Sequence, residues 1–174
     1  MPDMTFNTPE NQAIAREMLI ACLNVGSGEM PEWSIVGSRV EDSNEEYDWG
    51  KESKQDIVGN THNSMKKPII TQTFDPWELA NGDKAQVKLW NLAVRDQDAQ
   101  ALAAQDVMII HKYAGTEDTA VFAERYEASS IEITGLGGAG GGNVAMPVTI
   151  TYGGKRTKGT AKVSGGSITF NPEV

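Results

Sequence analysis

The second half of the chain alternates apolar and other residues with a period of two, and this pattern limits the fold more than any other feature. The segments with this pattern are rich in β-branched residues, and both features are typical of strands with one buried face. The segments "VMIIHKYA", "TAVFAERYEASSIEIT", "KRTKGTAKV" and "SITF" also read as strands. We predict about eight mostly antiparallel strands and one main helix, which together form a β-sandwich or a partly closed barrel with the helix packed on it. In "NVAMPVTITYGG", one face of the predicted strand contains Val144, Met146, Val148, Ile150 and Tyr152.

Two glycine pairs and one proline punctuate this region. Gly153-Gly154 and Gly165-Gly166 each suit a two-residue hairpin turn. Pro147 suits an edge position or a bulge, because it has no N–H to donate to a neighbouring strand.

The first half of the chain is less regular. Residues 1–12 are polar and look like a loose arm, in which Thr8 and Pro9 suit a helix N-cap and first helical residue. "NQAIAREMLIACLN" admits either a helix or, at residues 18–24, a strand buried on both faces, and periodicity alone does not decide. "WSIVGSRV" predicts a further strand.

One segment, residues 76–95, predicts a helix. Asp75, Pro76 and Glu78 form a capping-box pattern with proline at the first helical position. The helix either continues from there or restarts at Asp83. The apolar stripe that we expect to pack on the body contains Val87, Leu89, Trp90, Ala93 and Val94. The side chains that we expect to face away are those of Lys84, Lys88, Asn91 and Arg95.

A long polar segment, residues 43–68, predicts a hairpin or loop that leaves the body of the domain. Residues 41–56 contain seven acidic residues and two lysines, with Tyr47 and Trp49 among them. Because tyrosine and tryptophan are enriched at protein interfaces, their place in a polar loop favours a contact role.

The run "TGLGGAGGGN" contains six glycines in ten residues and matches the G-x-G-x-x-G pattern. A nucleotide-binding loop must open a helix, whereas here a strand follows. We therefore interpret it as a flexible loop between two strands. Its glycines are Gly135, Gly137, Gly138, Gly140, Gly141 and Gly142.

Nothing in the sequence favours an enzyme. His62 and His111 have no cysteine or histidine at metal-ligand spacing, and no nucleophile elbow is present. The single cysteine, Cys22, lies in an apolar run and predicts a buried thiol. We expect no catalytic residues, cofactor or metal.

The formal charge of −9 argues against binding to the DNA backbone, which needs clustered lysine and arginine. We find neither a signal-peptide pattern nor an apolar run long enough to span a membrane, so we expect synthesis in the cytoplasm.

Several long phrases resemble the major tail tube proteins of long-tailed bacteriophages. They are "EWSIVGSRVEDSNEEYDWGKESKQDIVGNTHNSMKKPIITQTFDPWEL", "GDKAQVKLWNLAV", "VFAERYEASSIEI" and "MPVTITYGGKRTKGTAKV". The resemblance runs from about Met18 to Phe170 and rests on the order of segments rather than on a catalytic signature.

This resemblance implies a mainly β fold: an antiparallel β-sandwich or partly closed barrel with one flanking α-helix and a long extended hairpin. Residues 1–17 would be an N-terminal arm, and residues 18–174 a single tail tube domain with an inter-ring loop at about 43–68. The matching helix is residues 76–95, and the resemblance favours the strand interpretation of residues 18–24.

The resemblance also implies a structural virion protein. It would self-assemble into hexameric rings that stack into a tail tube, with tail-tip, tape measure and tail terminator proteins as partners. DNA would pass through the lumen without specific binding, and we expect a net acidic lumen that repels phosphates. The residues expected at contacts between subunits and rings are Tyr47, Trp49, Lys51, Lys54, Lys66 and Lys67.

Three alternatives stay open from the sequence. The chain could form the inner tube of a contractile tail or of a phage-derived bacteriocin. It could also be a monomeric, immunoglobulin-like binding module. An enzyme that uses the glycine-rich loop ranks last.

Overall fold

A computed structural model describes residues 3–174 of the chain. Eleven strands dominate the described part, with two short α-helices. The strands are β1 (Leu19–Asn24), β2 (Trp33–Val36), β3 (Glu45–Asp48), β4 (Glu52–Gln55), β5 (Thr61–Ser64), β6 (Ile69–Phe74), β7 (Gln105–Thr116), β8 (Ala120–Ile133), β9 (Val148–Tyr152), β10 (Arg156–Ser164) and β11 (Ser167–Pro172). The helical segments are a 3-10 turn (Arg16–Met18), α1 (Lys84–Trp90), a π-helical turn (Asn91–Arg95) and α2 (Ala99–Leu102).

Nine of these strands form one antiparallel sheet that forks at β8. Strand β10 pairs with residues 121–126 of β8, and β9 pairs with residues 130–133 further along the same strand. One branch, the barrel sheet, has the order β2-β1-β7-β8-β10-β11. The other, the four-stranded sheet, has the order β8-β9-β6-β3. The long alternation of "TAVFAERYEASSIEIT" allows β8 to serve both branches.

The barrel sheet curls until β2 and β11 approach each other, and in the described chain no backbone pairing joins these two strands. Inside the curl lies a small apolar core. Met108, Ile110 and Val121 are fully buried there, and each contributes about 1.5–3 kcal/mol by leaving water. The core consists of Cys22, Trp33, Met108, Ile110, Val121, Ala123, Ala161 and Ile168.

A larger core lies between the opposite face of the barrel sheet and the four-stranded sheet. Trp77, which follows β6, and Leu89 of α1 fill its helix side and are both fully buried. The mainly β, antiparallel fold class is therefore confirmed: a sandwich whose one layer curls into a partly closed barrel, with a short flanking helix.

The predicted start of the helix at Pro76 is wrong. Helix α1 begins at Lys84, and its N-cap is Asp83, whose side chain accepts a hydrogen bond from the backbone N–H of Gln86 at 3.1 Å. The restart at Asp83 was therefore the correct alternative. The preceding segment stays extended because its backbone bonds the chain before β9: the N–H of Met146 donates to the carbonyl oxygen of Trp77 at 2.9 Å.

The predicted apolar face of this helix is also only partly correct. Leu89 is buried, whereas Val87 is 50% exposed and Trp90 is 37% exposed. Lys88, expected to face away, is half-buried and donates from Nζ to the carbonyl oxygen of Asn24 at 2.6 Å. Burial lowers the pKa of the Lys88 ammonium.

The N-terminal region differs from expectation as well. Residues 19–24 form β1, which confirms the strand interpretation, whereas the only helical structure between residues 3 and 18 is the 3-10 turn, so no helix begins at Thr8–Pro9. Residues 1 and 2 of the predicted loose arm lie outside the described residues. Residues 5–7 are not loose, because their backbone and Asn7 Nδ2 hydrogen-bond residues 112–115 near the end of β7.

Of the two glycine pairs, one closes a hairpin. Gly165-Gly166 joins β10 and β11, which pair directly across it at Ser164 and Ser167. Gly153-Gly154 does not close a hairpin, because β9 pairs with β6 and β8 whereas β10 pairs with β8 and β11.

Candidate interaction surfaces

The long polar segment forms a hairpin that projects from one end of the four-stranded sheet. Strands β3 and β6 pair within the sheet, and β4 and β5 continue outward as a separate two-stranded ribbon. The backbone N–H of Lys66 donates to the carbonyl oxygen of Trp49 at 2.8 Å and joins the two parts. All eight residues of β4 and β5 are exposed, so this ribbon packs on nothing in the described chain.

The base of the hairpin carries the two predicted aromatic contact residues. Tyr47 and Trp49 stack with ring centroids 6.2 Å apart, and each is 44% exposed. Together with Lys67 they line a cleft of about 380 Å³ against the body of the domain. Opposite them lie Tyr126 and Arg156.

The predicted lysines do not form one cluster. Lys66 Nζ lies 3.9 Å from Glu52 Oε1 across the ribbon. Lys67 instead lines the cleft beside Tyr47 and Trp49, which we call the aromatic cleft. Lys51 and Lys54 are exposed on or beside β4. Their role in contacts between subunits therefore stays a prediction.

A buried carboxylate network lies beside the aromatic cleft. Glu124 is 6% exposed and receives hydrogen bonds from His111 Nε2 at 3.2 Å, Tyr126 Oη at 2.7 Å and Arg156 Nε at 2.8 Å. Burial alone would raise the pKa of Glu124, but these three donors outweigh it and hold the pKa at about 2. The carboxylate is thus fully charged at neutral pH and anchors β7, β8 and β10 to one another.

Glu45, on β3, is less well satisfied. Its Oε2 accepts a hydrogen bond from Tyr47 Oη at 3.1 Å, whereas its buried Oε1 has no partner among residues 3–174. Burial raises the pKa of Glu45.

The outward face of the four-stranded sheet is polar and uncovered. The register places Glu46, Thr71, Thr151 and Ser130 in one row across the strands, and Thr73, Thr149 and Glu132 in the next. All of these residues are exposed or half-exposed. We call these seven residues the threonine face. It carries carboxylates and hydroxyls and no basic side chain.

Both edges of this sheet are open in the described chain. On one side, β3 pairs with β6 only. On the other, residues 130–133 of β8 pair with β9 and extend past the last residue that β7 pairs, Ser129. A shallow groove of about 330 Å³ runs along this second edge, between residues 130–133 and helix α2. Open edges present unpaired N–H and C=O groups that can accept a further strand.

The glycine-rich loop lies at the end of the sheet opposite the hairpin. At the hairpin end, β9 meets β6 through Tyr152 and Ile70; at the other end, through Val148 and Phe74. The loop precedes Val148 and connects β8 to β9, so its interpretation as a strand-to-strand connection is confirmed and no helix follows it.

Backbone contacts hold part of this loop in place. Gly137 and Ala145 exchange two backbone hydrogen bonds, and the N–H of Gly142 donates to the carbonyl oxygen of Ala139. At Gly138 a side chain would collide with the carbonyl oxygen of Asn143. Gly138 is therefore required for a close backbone approach, whereas Gly137, Gly140 and Gly141 have open space.

The residues with reactive side chains have structural environments. Cys22 is 1% exposed, and burial raises the pKa of its thiol to about 12. Among residues 3–174, no three His, Cys, Asp or Glu side chains gather closely enough to hold a metal ion. None of the helices in that range is both long and apolar enough to cross a membrane.

Two further features were not foreseen from the sequence. The tip of the hairpin exposes Ile57 and Val58, and their signal was visible as an apolar pair within the polar run "SKQDIVGNTHN". The Glu124 network had no such signal, because its members lie on three strands that only the fold brings together.

No protein-family model matches the chain, and no curated protein matches its sequence. Among solved structures, it is similar to the tube-terminating cap of an anti-feeding prophage, with a TM-score of 0.50 and 16% identity over 89% of this chain and 96% of that one. It also aligns with the sheath/tube terminator of an extracellular contractile injection system in its extended state (TM-score 0.49, 13% identity, 86% and 99% covered). A third alignment is with the sheath-tube complex of such a system (TM-score 0.46, 12% identity, 94% and 95% covered).

The first of these similarities establishes a shared fold over nearly the whole of both chains. The fold expected from the tail tube resemblance is thus also present in that tube-terminating cap.

Proposed function

We propose that this protein is the repeating subunit of a phage-tail-type tube, in which rings of the chain stack around a lumen that DNA passes through. The four-stranded sheet carries the proposal. Its two open edges, β3 and residues 130–133 of β8, lie on opposite sides of one sheet. An edge-to-edge contact between them is heterologous, and its repetition closes a ring when the rotation per subunit is a whole fraction of a full turn. The family resemblance implies six subunits in that ring.

In such a ring the threonine face lines the lumen. The face carries Glu46 and Glu132 and lacks a basic residue, so a ring of these faces repels DNA phosphates. The face also carries hydroxyl groups, which hydrogen-bond water; those of Thr73 and Thr149 lie 3.2 Å apart and hydrogen-bond each other as well. These features suit a conduit through which DNA moves without being held.

The projecting hairpin supplies contacts between rings in this proposal. An exposed two-stranded ribbon is marginal on its own, so a surface that receives it would stabilise it. Tyr47, Trp49 and Lys67 at its base and Lys51, Lys54 and Lys66 along it remain the proposed contact residues.

Electron microscopy of the purified protein over a concentration series, with light scattering on the same samples, tests the proposal. We expect rings that stack into tubes as concentration rises. A matched variant replaces residues 50–65 by an Asn-Gly turn; because Trp49 and Lys66 already pair, the four-stranded sheet is retained. This variant should form rings without tubes. A wild-type protein that stays monomeric at every concentration, also in the presence of a tail-tip complex, would contradict the proposal.

A second candidate is a terminating ring at the end of a tube. The observation that favours it is the fold shared with a tube-terminating cap. In that case the wild-type protein forms single rings that do not stack with themselves and that bind the end of a separate tube.

A further inference from the structure

The tip of the projecting hairpin presents two apolar side chains to solvent. Ile57 is fully exposed and Val58 is 75% exposed, although the ribbon around them is polar. Single exposed apolar residues are common on protein surfaces, but an adjacent pair at the far end of a projecting ribbon is well placed for insertion into a partner.

The tip is also held rigid. Asp56 Oδ1 accepts hydrogen bonds from the backbone N–H groups of Val58 at 3.0 Å and Asn60 at 2.9 Å. Asp56 Oδ2 lies 3.0 Å from His62 Nε2, and Gly59 adopts a φ of +89°, which favours glycine. A turn fixed in this way loses little conformational freedom when it docks.

An apolar pocket of about 440 Å³ lies on helix α1, and its apolar walls are Leu79, Val87 and Trp90. Gln86 fixes its shape: Oε1 accepts from the N–H of Ala80 at 2.8 Å, and Nε2 donates to the carbonyl oxygen of Glu78 at 2.7 Å. The pocket therefore exists before any partner arrives. Val87 and Trp90 stay partly exposed around it.

The tip and the pocket lie beyond opposite ends of the four-stranded sheet. The hairpin leaves the sheet where Asp48 pairs with Ile69. The pocket follows the other end of β6, at Phe74. The tip therefore cannot reach the pocket of its own chain, and the two surfaces meet only between copies that are stacked end to end.

We propose that Ile57 and Val58 at the hairpin tip insert into the Leu79–Val87–Trp90 pocket of a second copy of this chain in the next ring. This inference rests on the proposed function, since it names the contact by which rings stack. The contact is heterologous and repeats from ring to ring along the tube axis, so it extends a stack rather than closing a dimer. In this contact the main apolar side chains are those at the hairpin tip, and Tyr47 and Trp49 at the hairpin base take no part.

Serine substitutions at both surfaces test the contact. Ile57→Ser and Val87→Ser should each raise the protein concentration at which tubes form by about tenfold, which corresponds to about 1.4 kcal/mol at each stacking contact. The double variant should raise it much less than the product of the two effects, because both changes remove one contact. Met65→Ser is the matched control: Met65 is 59% exposed on the same hairpin, away from the tip, and its change should leave tube formation unaltered.

Cross-linking provides a direct readout. The single native cysteine, Cys22, is buried, so added cysteines react selectively. Tubes of the Ile57→Cys/Val87→Cys protein should give a ladder of covalent oligomers with a short bis-maleimide. The pair Ile57→Cys/Thr119→Cys, with the second cysteine on the β7–β8 turn, should not.

The outcomes separate the two proposals. If wild-type tubes form but the serine variants assemble at the wild-type concentration, or both cysteine pairs cross-link equally, the tip-to-pocket contact is refuted and the tube function stands. Effects of the two serine changes that simply multiply would also refute a direct contact. If the wild-type protein forms no stacks, also in the presence of a tail-tip complex, both proposals fail.

Discussion

Replacing Glu124 by glutamine should remove the best-satisfied buried charge in the sheet. The variant keeps the size of the side chain but loses the carboxylate that Tyr126, His111 and Arg156 contact. The pKa of Glu124 falls from its usual 4.5 to about 2 in the folded protein. Each unit of pKa difference corresponds to about 1.4 kcal/mol. The difference between the folded and the usual pKa therefore stabilises the charged folded state by at most about 3 kcal/mol. Arg156 is 32% exposed, so solvent screens its interaction with Glu124. We therefore expect Glu124→Gln to lower the free energy of unfolding by about 2 kcal/mol.

The sign of the pH dependence follows from the lowered pKa. The contribution of Glu124 is fully present above about pH 5 and is lost as the pH falls toward 2, because the unfolded chain takes up the proton first. More than half of it should be lost by about pH 3. The wild-type protein should therefore lose more stability than the glutamine variant between pH 7 and pH 3.

Urea unfolding of monomeric protein at pH 7 and pH 3 measures both effects. Glu127→Gln is the matched control on the same strand. The Glu127 side chain is 47% exposed, and its Oε1 lies 4.0 Å from Arg125 Nη1, so its replacement should lower the free energy of unfolding by less than about 0.5 kcal/mol. If Glu124→Gln unfolds with the wild-type free energy at pH 7, or keeps the wild-type pH dependence, the network does not stabilise the fold as argued.

Three other predictions concern the lumen, the glycine loop and the buried thiol. Tubes built from the Glu46→Lys/Glu132→Lys variant should retain DNA, and the retention should fall as salt is raised; binding no stronger than that of wild-type tubes would contradict the lumen assignment. Gly138→Ala should lower the free energy of unfolding by about 1–3 kcal/mol, because the new methyl group collides with the backbone of Asn143. Gly140→Ala should leave it nearly unchanged, since a methyl group at that position has open space around it. Equal effects in thermal unfolding would refute the described loop conformation. Cys22 should react with a thiol reagent only at the rate of unfolding, and rapid reaction of the folded protein would show that the barrel core is open.

Local sequence patterns determined much of the strand content. The alternation through "TAVFAERYEASSIEIT" and "VTITY" predicted β8 and β9, and Gly165-Gly166 predicted its hairpin, because these signals depend only on neighbouring residues. The polar run around Tyr47 predicted a segment that leaves the body, since it has too few apolar residues to be buried. The apolar surroundings of Cys22 likewise predicted a buried thiol.

Tertiary structure decided what local patterns leave open. Sequence cannot show that β8 pairs with β9 at one end and β10 at the other, and this fork is why Gly153-Gly154 closes no hairpin. Backbone pairing between Trp77 and Met146 keeps the chain extended where the capping pattern predicted a helix. The open edges of the four-stranded sheet, the Glu124 network and the placement of tip and pocket beyond opposite ends all depend on partners distant in the chain. Which strands and loops become partners depends on the burial of whole sheet faces. A short stretch of sequence does not show which faces are buried against each other.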